Sequence, residues 1–181
     1  GGREWGTLPR SQPVGPGWRG SSHSATSVHN SSARKGHVAF RGHFEHSLDA
    51  KNRLNIPAKF RAHFSGGLVL MKWFEPCIAV FTPEGFESFT NSVLPQLNPI
   101  SDERRQLTRF LAGNSYDAEL DAAGRVTLAA PLIEHAGLKK EVAIVGNIDY
   151  LEIWDRERYA AEQAELPAAV ADIARSLGHP S

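Results

Sequence analysis

With 181 residues the chain can bury one or two modest cores, which excludes a large multidomain enzyme. Hydrophobic residues make up 41%, as in folded soluble proteins, and no apolar run approaches the roughly 20 residues that cross a bilayer. The formal charge is zero, 20 basic against 20 acidic side chains, so any nucleic-acid contact must come from local clustering rather than bulk charge.

Residues 1–38 are biased to Gly, Ser and Pro, lack apolar periodicity, and carry five Arg or Lys against one Glu, net +4. Such a segment cannot bury enough surface to offset its ordering entropy and is expected to be disordered, either as a basic DNA tether or as an extension with no site of its own. It offers no apolar stretch resembling a signal peptide, so a cytoplasmic location is expected. Residues 39–181 carry net −4. Within them, residues 41–63 hold Arg41, Lys51, Arg53, Lys59 and Arg61 against Glu45 and Asp49, net +3, interspersed with His43, His46 and His63. Cys77 is the single cysteine, expected to be a small buried thiol in a strand and not part of a metal site.

From Ala39 the chain repeats itself. Residues 47–56, SLDAKNRLNI, align with residues 119–128, ELDAAGRVTL, at an offset of 72, with Leu48/Leu120, Asp49/Asp121, Ala50/Ala122 and Arg53/Arg125 identical. The phase continues through His63/His135 and, after one inserted residue, through Ile78/Leu151, Val80/Ile153, Phe81/Trp154 and Phe86/Tyr159.

Each copy predicts the same order of elements. A strand (40–47; 115–120) leads into a turn, a second strand (53–56; 125–128) leaves it, and a short helix follows (58–64; 131–136), the second stopped by Gly137. Two apolar strands come next, 68–73 and 77–81 in the first copy, 141–145 and 150–154 in the second. Pro83 suits the first turn of a following helix and Asp155 suits a helix cap. Between the copies, residues 101–111 predict a helix capped by Ser101 with Asp102 and Glu103 in its first turn. Residues 167–177 predict an amphipathic helix with Val170, Ile173, Ala174 and Leu177 on one face, expected to pack within the chain or else against another subunit. The expected organisation is an extension (1–38), a first repeat (39–98), a connecting helix (99–113), a second repeat (114–160), and a C-terminal helix and tail (161–181).

In Asp-x-x-x-Arg between two strands, the Asp carboxylate can accept hydrogen bonds from amides inside the turn and so fix its shape. Asp49 and Asp121 are expected in this role, and the fourth positions, Asn52 and Gly124, are residue types that accept a positive φ cheaply. The Arg then either pairs with its own Asp as a staple or projects to a ligand. Asp117, Glu119 and Asp121 crowd Arg125 and would repel phosphate, whereas the basic residues of the first copy can form a cationic surface. Arg carries the planar fork that reads guanine or grips phosphate. The expected DNA-contacting residues are therefore Arg53, Lys51, Asn52, Arg41, Lys59 and Arg61, with Arg125 auxiliary.

The order Phe40, Gly42, Leu48, Asp49, Lys51, Arg53, Leu54, Ile56, Pro57, Lys59 and Arg61 resembles the opening signature of the MraZ family, relatives of the AbrB and SpoVT DNA-binding proteins. Leu120, Asp121, Gly124, Arg125, Val145, Gly146, Glu152, Ile153 and Trp154 resemble the family's second signature. Asn52 stands where the family usually has Gly, and Ala129 where the second copy usually has Pro. The resemblance implies an α+β, mainly β fold, an AbrB-like double-split β-barrel built from two tandem repeats with short flanking helices. It further implies a nucleoid-associated transcriptional regulator, assembled into a ring-like homo-oligomer and bound to short direct repeats in the promoter of the division and cell-wall gene cluster. DNA binding would depend on Arg53. No cofactor, metal, catalytic residue, small-molecule substrate or membrane partner is implied.

Two other function classes compete. An enzyme would have to use the fragment His43-Phe44-Glu45-His46, but on a strand His43 and Glu45 share one face and His46 lies on the other, so zinc ligands would not converge. An AbrB-like antitoxin or other protein-binding module would share the fold. Such modules pair a single unit with a toxin-binding tail, unlike the two copies here.

Overall fold

The structure, a computed structural model, describes residues 39–178, so the expected disorder of residues 1–38 lies outside the described residues. The first repeat runs β1 (His43–Ser47), β2 (Arg53–Asn55), α1 (Ala58–Arg61) extended by a 3-10 turn (Ala62–Phe64), β3 (Leu68–Lys72), β4 (Ile78–Phe81) and α2 (Pro83–Val93). After a connecting helix, α3 (Asp102–Gly113), the second repeat runs β5 (Ser115–Ala118), β6 (Arg125–Thr127), α4 (Ala130–Ala136), β7 (Glu141–Asn147), β8 (Tyr150–Asp155) and α5 (Arg156–Ser176).

Helix ends follow local chemistry. Thr82 Oγ1 accepts from Gly85 N at 3.0 Å with Pro83 in the first turn, Ser101 Oγ accepts from Arg104 N at 3.2 Å, and Asp155 Oδ1 accepts from Glu157 N and Arg158 N. Gly137 ends α4 in the left-handed conformation, φ 59°. The first strand is shorter than its apolar pattern predicts because Gly42 takes φ 107°, and Phe40 joins the sheet only through a bridge to Ile148. The helix expected to begin at Pro167 is instead the second half of α5. Capped by Asp155, this helix begins at Arg156, eleven residues before Pro167, in a run rich in Ala and Glu, and these strong helix formers carry it through the bond that the proline cannot make.

The strands pair across the repeats. A six-stranded antiparallel sheet has the order β1-β7-β8-β4-β3-β5, and β2 pairs with β6 in a separate two-stranded ribbon. The first strand of each repeat lies beside the third element strand of the other, β1 on β7 and β5 on β3, and the two hairpins meet where β4 pairs with β8. Exchanging the repeats maps this order onto its own reverse, so the duplication in sequence becomes a two-fold pseudosymmetry in space. The fold is thus α+β, mainly β, with antiparallel pairing throughout and the ribbon packed over one face of the six-stranded sheet.

Alternation along the central strands sends side chains to two cores. Leu68, Leu70, Ile78, Val80, Val142, Ile144, Leu151 and Ile153 pack on one face with Leu54, Ile56, Val126 and Leu128 of the ribbon region and with Phe60, Phe64 and Leu132 of the short helices. Val69, Met71, Ala79, Phe81, Ala143 and Trp154 pack on the other face with aromatic and leucine side chains of α2 and α3 and with Tyr159 at the start of α5. Covering both faces explains why these strands read as continuous apolar runs. The far half of α5 joins neither core. Leu166, Val170, Ile173 and Leu177 are exposed, so the expected packing of this stripe within the chain is not what the described residues show.

Because each repeat completes the other's sheet, residues 39–178 should unfold in one step. Urea unfolding followed by tryptophan fluorescence and by far-UV circular dichroism should give coincident transitions. Leu54→Ala, at a fully buried position under the ribbon, should lower stability by about 2–5 kcal/mol in the same experiment.

Candidate nucleic-acid interface

Both Asp-x-x-x-Arg turns close in the same way. Asp49 Oδ1 accepts from Lys51 N at 2.8 Å and Arg53 N at 3.0 Å, and Arg53 Nε donates to Asp49 Oδ2 at 2.7 Å. In the second copy Asp121 Oδ1 accepts from Ala123 N at 2.9 Å and Arg125 N at 3.0 Å, while Arg125 Nε donates to Oδ2 at 2.8 Å. The fourth residues adopt the positive φ expected of them, 57° at Asn52 and 76° at Gly124. These bonds hold the Asp49 carboxyl below the usual carboxylate range, chiefly through the Arg53 amide. They bring Asp121 down to about 2, chiefly through the Arg125 side chain.

The turns feed the two strands of the ribbon. Arg53 pairs with Thr127, Leu54 with Val126, and Asn55 with Arg125. Leu54 and Val126 are fully buried beneath, which forces Arg53, Asn55, Arg125 and Thr127 onto the outer face. The ribbon's ends are pinned reciprocally, Leu128 N donating to Asn52 O at 2.9 Å and Ile56 N to Gly124 O at 3.0 Å. A carboxylate on Nε holds each guanidinium in one plane, so its terminal amino groups are presented from a fixed base. A two-stranded ribbon has the cross-section that enters a DNA major groove, and Arg and Asn are side chains that read base edges there. Asn55 and Thr127 share that outer face with Arg53 and Arg125, a placement that strand alternation carries in the sequence.

The basic residues of the first copy do not gather into one surface. Lys51, Asn52 and Arg53 stay at the first turn. Lys59 Nζ donates to Arg41 O at 2.9 Å and sits over the rings of Phe44 and Phe60, which places Lys59 and Arg41 at the far end of β1 from that turn. Arg61 crosses to the second copy. Its Nε donates to Ile56 O at 2.8 Å, and its side chain lies so close over Gly124 that an added Cβ would stand 2.3 Å from Nε. Gly124 therefore serves twice, easing its positive φ and leaving room for Arg61. His46, half-buried on the inner side of β1, has its pKa lowered first by burial and then by the Arg61 charge. In exchange, the first turn receives Lys139 and Lys140 from the second copy, which line a cleft with Asp49, Ala50 and Asn52. Lys140 O accepts from Leu48 N at 2.8 Å, and Lys139 is paired with Glu157. Arg125 keeps its acidic surroundings, with Nη2 also 2.7 Å from Asp121 Oδ2 and Asp117 and Glu119 exposed nearby in the chain.

The His43–His46 fragment divides as a strand requires. His43 packs on Tyr159 and Glu45 pairs with Arg156, while His46 turns to the opposite side. A different group comes together where the sequence reading saw nothing near Cys77. Ligand-type atoms of Glu75, Cys77 and Glu152 lie within 4.8 Å of one another. Glu152 is already satisfied, its oxygens accepting from Asn147 Nδ2 at 2.7 Å and Trp154 Nε1 at 2.9 Å, and burial pushes the Cys77 thiol far up, away from the thiolate a ligand needs.

A duplicated α+β module with interleaved halves, exposing a ribbon held by Asp–Arg turns, is an AbrB-like binding protein. Residues 39–110 and 111–176 each match the family described as "MraZ protein, putative antitoxin-like", and the chain belongs to the MraZ family. It is 39% identical over 132 residues to the transcriptional regulator MraZ of Corynebacterium glutamicum strain R, covering 72% of this chain and 90% of the relative. The proteins of the same name from Symbiobacterium thermophilum and Mycoplasmoides gallisepticum are each 36% identical, over 76% and 66% of this chain and 99% and 84% of their own lengths. The role these names give is regulatory and non-enzymatic. No helix among the described residues is long and apolar enough to cross a membrane.

Asp121 should titrate near 2 by carboxyl NMR. Since its folded pKa lies below the ordinary value, its contribution to the turn is complete above about 4 and lost as pH falls toward 2. Asp121→Asn should abolish that acid dependence. Gly124→Ala should destabilise the chain by at least about 1–2 kcal/mol, the cost of its φ alone, and should release Arg61 from Ile56 O.

Proposed function

We propose that this chain is a sequence-specific DNA-binding transcriptional regulator that meets double-stranded DNA with the outer face of the β2–β6 ribbon. The observation that carries this reading is the placement of Arg53, Asn55, Arg125 and Thr127 on one face of a two-stranded ribbon whose other face is buried. Arg53 is the principal contact, steadied by Asp49. Lys51 and Asn52 lie at the rim of the same turn, and Lys140 adds a phosphate contact beside it. Arg125 is auxiliary, since its surroundings are acidic. Arg61 acts through the second turn, and Lys59 and Arg41 stand apart at the far end of β1, where they could meet only flanking phosphates.

The family resemblance extends the reading to the promoter of the division and cell-wall gene cluster, to short direct repeats within it, and to a homo-oligomer in the cytoplasm and at the nucleoid. Direct repeats suit an oligomer, because each added turn binds at high effective concentration and weak single contacts sum to tight binding. The net charge of −4 over residues 39–181 is no obstacle, for only the phosphates under the ribbon and turn need neutralising.

The test is fluorescence anisotropy on the DNA just upstream of this protein's own gene, at two salt concentrations. Arg53→Ala should abolish binding without changing the oligomer, and Asn55→Ala should relax discrimination between base pairs. Lys140→Ala should weaken binding to all sequences alike and lower the salt slope by about one. Unchanged binding by the Arg53 variant would remove the ribbon from the interface.

A further inference from the structure

The two turns carry counterpart clefts. Leu48, Asp49 and Asn52 of the first turn face α4 and the loop after it, where Ile133, Leu138 and Lys140 complete an open cleft of about 410 Å³. At the second turn, Leu120, Asp121 and Gly124 face α1 and the loop after it, and Arg61 and Gly66 stand where the 72-residue offset puts Ile133 and Leu138 in the first. Each cleft is thus made by a turn of one repeat and a helix end of the other, but the two are not filled alike. Arg61 lies over the second corner, and Gly124 is buried beneath it. Ile133 is too short to cover the first corner in the same way, and Asn52 is exposed.

The uncovered cleft has a definite chemistry. Leu48 and Ile133 pack against the edge of the main core with part of their surface open, and Leu138 belongs to that core. Charges beside this apolar wall are matched, with one exception. Asp49 accepts two amides on Oδ1 and Arg53 Nε on Oδ2, and Lys139 Nζ donates to Glu157 at 2.6 Å. The exposed Lys140 side chain has no hydrogen-bond or ion-pair partner among the described residues. An apolar wall with a single unpaired cation at its rim suits a small amphipathic anion.

We infer that this cleft binds a small aliphatic carboxylate, its hydrocarbon tail on Leu48, Ile133 and Leu138 and its carboxylate on Lys140. Binding is coupled to the DNA face, because the Asp49–Asn52 turn is one wall of the cleft and Leu48 N is tied to Lys140 O. An anion on Lys140 neutralises the phosphate contact beside Arg53, so the ligand lowers DNA affinity. That consequence rests on the ribbon being the DNA face, whereas the binding of the carboxylate does not.

The test is calorimetric titration of octanoate into the full chain without DNA, with octanol as the neutral probe of equal length. Octanoate should bind saturably and octanol more weakly. Lys140→Gln should weaken octanoate by about tenfold, the effect of losing one charge-assisted hydrogen bond, and leave octanol unchanged. Ile133→Arg with Asn52→Gly rebuilds the second corner in the first cleft and should abolish binding of both probes, with far-UV circular dichroism as the control for folding. Ile133→Glu should exclude octanoate by charge if the double variant does not fold. Absence of saturable octanoate binding overturns the inference, as do equal affinities for the two probes or unchanged octanoate binding in Lys140→Gln. In the anisotropy experiment, saturating octanoate should release promoter DNA from the unaltered chain. Octanoate binding that leaves DNA affinity unchanged overturns the coupling and keeps the site, so the failure of the ribbon reading is told apart from failure of the cleft.

Discussion

The pairing of each repeat's first strands with the other repeat is the constraint on which the structure depends. A repeat alone would leave β1 without β7 and β2 without β6, exposing the backbone of both strands and uncovering Leu54 or Val126. Unpaired strand edges and an open apolar face are costly in a unit this small. Interleaving removes both at once, and it also fixes where the two turns can be. They are the connections that let a strand leave the six-stranded sheet and enter the ribbon, so their geometry is set by the sheet on one side and by the opposite turn on the other.

That position explains the Asp. A chain turning between a sheet and a ribbon leaves amides at the corner without ladder partners, and a carboxylate that accepts two of them closes the corner with no larger side chain. The same carboxylate then steadies the Arg at the start of the returning strand. In the sequence, structural staple and ligand contact are alternatives for Arg53 and Arg125. The geometry makes them compatible, because Nε faces inward to the Asp while the residue itself lies on the outer face of the ribbon.

Much of this was legible in the residues. The 72-residue offset, the turn closure, the positive φ at Asn52 and Gly124, and the helix caps all depend on near neighbours in the chain, where spacing and residue type carry the information. What was not legible depends on partners far apart in sequence. The destination of Arg61 over Gly124 and the approach of Lys140 to the first turn arise only from interleaving. Counting charge along residues 41–63 therefore joined groups that the fold separates. The outward placement of Asn55 and Thr127 lay between these extremes: alternation supplies it once the ribbon is known, but three-residue strands are too short to announce a ribbon by themselves.

The two turns are alike in backbone and unlike in surroundings, and interleaving narrows the difference that the sequence suggested. Each turn receives a cation from the opposite repeat, Arg61 at the second and Lys139 with Lys140 at the first. These gifts are not equivalent. Arg61 is held by Ile56 O of its own repeat and lies over Gly124, filling the space above the second turn, whereas Lys140 stands exposed beside Asn52. Duplication thus supplied two copies of one corner. Both corners still face solvent, and their difference lies in the cations beside them, Arg61 over Gly124 at the second and Lys140 beside Asn52 at the first.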